Sequence, residues 1–214
     1  MSRRSKRGAD AEMDADTGTG TDTGTDTDTD TGTDTGTDAE TDTGGRARFD
    51  TPLGQCGIAW SSKGLTRFDL PGHGEKRTDA ARAGRPLEAL GEEMQPSNAP
   101  AWVREAMELI RRHLGGNPQD LSVIPTDMDG ISPFFRRVYE AARSIPAGET
   151  LSYAELAERA GSPKAFRAVG QAMAKNPLPV VVPCHRVLAA GGKLGGFSAP
   201  GGTTTKVRLL KLER

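Results

Sequence analysis

NPLPVVVPCHRV, residues 176–187, carries a cysteine at the end of an apolar run bounded by prolines, with a histidine directly after it. Pro183 has no backbone N–H and pushes Val182 toward extended geometry. The run reads as a stiff, non-helical strand with Cys184 at its end. Such a cysteine is either a small packed hydrophobe or a nucleophile activated by a nearby base. His185 is the base next in sequence. Adjacent strand residues point to opposite faces, so a direct contact between the two side chains is not expected.

Upstream, SPFFRRVYEAARSI (132–145) has helical spacing. Ser132 can cap it, Pro133 suits the first turn, and Phe134, Phe135, Val138 and Ala142 share one side. IPAGET follows as a turn. SYAELAERAG (152–161) reads as a short helix with Ser152 as cap and Gly161 as terminator, and SPKAFRAVGQAMAKN (162–176) as another with Ser162 as cap. Two short helices joined by a glycine turn make a helix-turn-helix, whose second member would touch DNA. The exposed face of that member is small: Ala165, Ala168, Gly170, Ala172 and Ala174. A major-groove reader should present Asn, Gln and Arg to base edges. Small residues permit close backbone approach to the narrow groove; equally, they favour helix and tight packing.

The N-terminal region is of another kind. Threonine alternates strictly with glycine or aspartate from Thr17 to Thr37. With no large apolar side chain, this tract cannot offset the entropy of ordering. Residues 1–45 are expected to be a disordered tail. It opens on a basic cluster, Arg3, Arg4, Lys6 and Arg7, read as a solvated terminus. The net charge of −1 conceals an asymmetry: residues 130–214 hold 13 basic and 5 acidic residues. A basic segment around the cysteine suits a polyanionic partner, although an ordinary basic surface has the same composition.

Residues 46–129 read as a small mixed domain. FDTPLGQCGIAW and SSKGLTRFDLP suggest strands joined by turns, and residues 78–100 a loop. AWVREAMELIRRHL (101–114) repeats apolar residues at helical spacing. LSVIPTDMDG should give a short strand and a link. Cys56 is assigned to the core. Two cysteines without CxxC spacing imply neither a disulfide framework nor a zinc site. No stretch has the length of a membrane span, and the polar N-terminus does not look like a signal peptide. A reducing cytoplasm is the expected location, with association to the nucleoid if the source is prokaryotic.

From about Ile131 to Glu213, these segments are followed by GGFSAPGG (195–202) and KVRLLKLE (206–213). Their order and spacing resemble the O6-alkylguanine-DNA alkyltransferases, the methylated-DNA–protein-cysteine methyltransferases. The resemblance implies an α+β protein. A small mixed N-terminal domain (46–129), ribonuclease-H-like in the family, precedes a winged-helix-like helix-turn-helix domain (130–214). It also implies a DNA repair activity that flips O6-alkylguanine, or O4-alkylthymine, from duplex DNA. The alkyl group passes irreversibly to Cys184, once per protein. No cofactor, metal or membrane is implied, and the protein would act as a monomer on double-stranded DNA.

The same resemblance assigns roles. Cys184 matches the acceptor, His185 the base that acts through a water, and Glu213 the carboxylate that holds the histidine. Tyr153 matches the tyrosine that aids rotation of the nucleotide and donates to the leaving purine. Arg167 matches the arginine that fills the stack after the base leaves, at an unstacking cost of a few kcal/mol. Asn176 matches the asparagine tying the DNA-contacting helix to the cysteine segment. Ser198 would present its backbone N–H to O6, Ala165, Ala168 and Gly170 would face DNA, and Pro179 would be pocket wall or core. Many relatives carry tyrosine, serine and two glycines after the cysteine. Here Phe197 and Ser198 precede an inserted Ala199–Pro200, so the pocket should differ in shape. The alternative function is a lesion-binding protein that does not transfer the alkyl group.

Overall fold

A computed structural model describes residues 44–72 and 86–214. Of the tail expected over 1–45 and the loop expected over 78–100, residues 1–43 and 78–85 lie outside the described residues. Strands β1 (Gly45–Thr51), β2 (Gly54–Ser61) and β3 (Gly64–Asp69) form consecutive antiparallel hairpins, and β4 (Glu92–Glu93) pairs parallel with β1. The order across the sheet is β3-β2-β1-β4. Gly45, placed in the tail by composition, is instead the first residue of β1. The Pro52–Leu53 turn closes on Thr51, whose hydroxyl donates to Gly54 O at 2.7 Å and accepts from Leu53 N–H. At Gly64, φ is +145° and a Cβ would stand 2.6 Å from the Pro125 backbone, so only glycine fits.

Helix α1 (Ala101–Leu114) covers the expected span and buries Val103, Ala106, Met107, Ile110 and Leu114. It buries His113 as well. Residues 86–100 are more ordered than a loop, with 3-10 turns at Leu87–Ala89 and Pro96–Asn98 around β4. The strand expected at Leu121–Ile124 is also a 3-10 turn. Asp120 accepts from Ser122 N–H at its start, a local bond that competes with strand pairing. The chain then meets β3 beyond this turn, where Leu65 N–H donates to Pro125 O.

Helix α2 (Pro133–Arg143) starts on the Ser132 cap. Helix α3 (Tyr153–Arg159) carries a complete capping box, with Ser152 and Glu155 each taking the other's backbone N–H. Gly161 follows at φ +70°. Helix α4 (Phe166–Ala174) begins three residues later than expected, with Ala165 rather than Ser162 in the cap position. Ser162 is used in the inter-helix turn, where its carbonyl accepts from Ala165 N–H. Ala172, expected on the exposed face, is fully buried, and Tyr139 donates to its carbonyl at 3.0 Å. Strand β5 (Leu151–Ser152) pairs with β6 (Val187–Leu188), and α5 (Gly202–Leu212) follows. One buried apolar cluster runs from the sheet through these helices. Among the described residues no helix is long and apolar enough to cross a membrane.

Candidate active site

The stretch 176–186 is not a strand; only Val187, at its end, enters β6. Asn176 is buried; its amide donates to Val182 O at 2.8 Å and its side-chain oxygen accepts from Leu178 N–H at 2.9 Å. One side chain thus takes up backbone groups that a neighbouring strand would otherwise satisfy. Val182 N–H closes back on Leu178 O, and Val180 sits at φ +76°, a rare conformation for a β-branched residue. The sheet steadies the same loop, since Phe68 of β3 donates its N–H to Pro177 O at 3.0 Å. Cys184, His185 and Arg186 form a single 3-10 turn.

His185 is completely buried, and its Nε2–H donates to Glu213 Oε1 at 2.7 Å. That bond puts the imidazole proton on Nε2. Nδ1 has no hydrogen-bond partner among the described residues, so its lone pair is available to accept a proton. Burial lowers the His185 pKa, partly offset by Glu213, so the ring stays neutral. Glu213 follows α5 as its C-cap. Oε1 also accepts from Arg186, at 2.8 Å from Nη2, and from His113 Nε2 at 2.9 Å. Burial alone raises the pKa of this carboxyl. The hydrogen bonds from His113, His185 and Arg186 outweigh it and hold Glu213 ionised, well below the usual carboxylate range.

His113 and Arg186 are members of this cluster that the sequence did not disclose. Arg186 also bonds Ile145 O. Lys206 is another: fully buried, it donates to Val187 O at 2.6 Å, and burial lowers its pKa. His113, His185 and Glu213 are close enough to suggest metal ligands, with donor atoms within 4.8 Å. Their hydrogen bonds argue otherwise. Gln119 N–H donates to His113 Nδ1, so Nε2 carries the proton and has no lone pair for a cation.

In front of the thiol lies a cleft of about 410 Å³ lined by Tyr153, Gly170, Met173, Cys184, Phe197 and Ser198. Cys184 is 6% exposed there. Burial first, and then Cys184, raise the Tyr153 pKa, which keeps the phenol protonated. A Cβ on Gly170 would meet nothing within 4 Å, so this face of α4 is open. Ala165 and Ala168 are half-buried beside exposed Arg167, whose guanidinium lies 5.9 Å from the Phe166 ring. Pro179 is buried and does not line the cleft. The Ala199–Pro200 insertion turns inward: Ala199 is buried and Thr205 donates to Pro200 O at 2.6 Å. Cys56 is buried, and its thiol pKa is pushed up to about 12, chiefly by that burial.

The family profile described as 6-O-methylguanine DNA methyltransferase, DNA binding domain, matches residues 133–214. The methylated-DNA–protein-cysteine methyltransferase of Methanothermobacter thermautotrophicus is 33% identical over 162 residues, covering 76% of this chain and 81% of that one. The constitutive enzyme of that name from Bacillus subtilis is 36% identical, covering 77% and 92%. The crystal structure of Mycobacterium tuberculosis O6-methylguanine methyltransferase superposes with a TM-score of 0.62 at 31% identity, over 79% of this chain and 92% of that one. A structure of the same organism's OGT in complex with DNA matches equally well. The chain belongs to the methylated-DNA–protein-cysteine methyltransferase family.

Proposed function

We propose that this protein repairs alkylated duplex DNA by moving an alkyl group from O6 of guanine to Sγ of Cys184. The observation that carries the reading is the buried His185–Glu213 pair, which leaves the His185 Nδ1 lone pair available in the same 3-10 turn as a thiol that lines a cleft. The thiol proton passes through a water to Nδ1. The thiolate attacks the alkyl carbon, the S–C bond forms as the C–O6 bond breaks, and the electron pair leaves with guanine. Tyr153 donates a proton to the departing purine and regains one from solvent. Guanine is restored and a thioether remains, so each molecule acts once. Glu213 stabilises the imidazolium while it lasts.

The base must leave the stack to reach this cleft. Arg167 is exposed on α4 and would face the DNA and fill the gap. Ala165, Ala168 and Gly170 would let the helix approach the minor groove, and Ser198 N–H would hold O6. This reading treats residues 45–129 as a ribonuclease-H-like domain and 130–214 as a winged-helix-like one, with the tail ending before Gly45. The protein would act as a monomer in the cytoplasm. O4-alkylthymine would be a second lesion.

The test is mass spectrometry after mixing the protein with a duplex bearing one O6-methylguanine. The expected product is one methyl on the Cys184 peptide, absent in Cys184→Ala. Tight lesion-selective binding without an adduct would favour the lesion-binding alternative.

A further inference from the structure

We propose that His113, at the end of α1, is a positioning residue for the transfer and sets the pH at which the His185–Glu213 pair works. The inference rests on the transfer reading above. His113 is 1% exposed and belongs to the sheet half of the protein, 100 residues from its partner. Its tautomer is fixed from behind: Gln119 N–H donates to Nδ1 at 3.1 Å, so Nε2–H points at Glu213 Oε1. The oxygen it reaches is the one that holds His185. Each donor on Oε1 draws charge away from the bond to His185. His113 therefore makes Glu213 a weaker partner for an imidazolium and keeps His185 in the neutral form that accepts the thiol proton.

The charged and titratable groups around this point come from several elements. His113 reaches it from α1, and Arg186 lies in the same turn as His185. Tyr139 of α2, Tyr153 of α3 and Lys206 of α5 lie near enough to Cys184 to interact with its charge. Of these, only His113 and Arg186 donate to Oε1 beside His185, and Arg186 is a permanent cation. His113 is thus the neutral donor whose removal weakens competition for Oε1 without stranding a charge.

The experiment follows single-turnover transfer across pH for wild type, His113→Phe and His113→Gln. Both an O6-methylguanine duplex and free O6-benzylguanine serve as donors. Phenylalanine keeps the ring volume but cannot donate; glutamine restores an N–H toward Glu213. The amplitude counts folded, competent protein, and the rate constant reports the relay. For His113→Phe, the acid limb should move up by about one pH unit, the size of a hydrogen bond to a charged group. The rate constant should fall about tenfold on that limb for both donors and converge with wild type on the alkaline plateau. His113→Gln should return the limb toward wild type. An unshifted profile, a slowing uniform in pH, or a loss confined to amplitude would each overturn the role of His113 alone. A wild-type protein that forms no Cys184 adduct would overturn the transfer reading and this role together.

Discussion

Behind Cys184, a single carboxylate oxygen accepts hydrogen bonds from two histidines and an arginine, all buried. In front of it, Tyr153, Gly170, Phe197 and Ser198 line an open cleft, and Arg167 extends from α4 toward solvent. The rear is a buried network anchored on Glu213, in which the Arg186 guanidinium would be stranded by loss of the carboxylate. The front has groups whose partners must come from a ligand. On the proposed reading, the rear wall prepares the nucleophile and the open wall receives the base, and substitutions should separate the two.

The largest effect is expected at Glu213. Glu213→Ala strands the buried Arg186 guanidinium and frees His185, which should cost ~3–5 kcal/mol of stability and slow transfer to every donor. Denaturant unfolding and single-turnover kinetics measure both. The pH dependence follows from the same group. Its folded pKa lies below the ordinary value of 4.5, so its stabilisation is present above that pH and is lost as pH falls further. An acid unfolding curve should therefore be steeper below about 4.5 in the wild type than in the variant. If the curves are parallel, Glu213 is not the rear wall's anchor.

Arg167→Ala tests the open wall. Transfer from duplex DNA should slow by about tenfold or more, consistent with the few kcal/mol that unstacking requires. Reaction with free O6-benzylguanine should be unchanged. Equal losses on both donors would dissolve the distinction between the walls. The smallest effect is expected at Ser152→Ala, which removes the α3 capping box beneath Tyr153. A loss of ~1 kcal/mol in stability with little change in free-base reactivity is the expected outcome, read from thermal melts and the same kinetic assay.

The sequence disclosed the parts that depend on local rules. Helices α1, α2 and α3 announce themselves by apolar spacing and by the Ser132 and Ser152 caps, and Cys184, His185 and Glu213 by motif. It misled at 176–186, where an apolar run bounded by prolines suggested a strand. The Asn176 side chain supplies there the hydrogen bonds a neighbouring strand would give, and no propensity encodes that. It was silent on His113, because an i to i+100 contact leaves no local trace. On α1, His113 falls among apolar positions as one more member of the buried face. Arg186 was hidden for the opposite reason: a cation in a basic segment looks like surface until its partner is known.

The 100-residue separation between His113 and Glu213 also bears on the order of assembly. Contacts so distant in sequence carry a large loop-closure cost and form late in folding. The cluster that orients His185 is complete only when the sheet half and α5 have met. On the proposed transfer reading, Cys184 lacks its oriented base until then. On the same reading, a protein that reacts once would reach full reactivity only as a finished molecule, and partly folded chains would be spared from being used up by stray electrophiles.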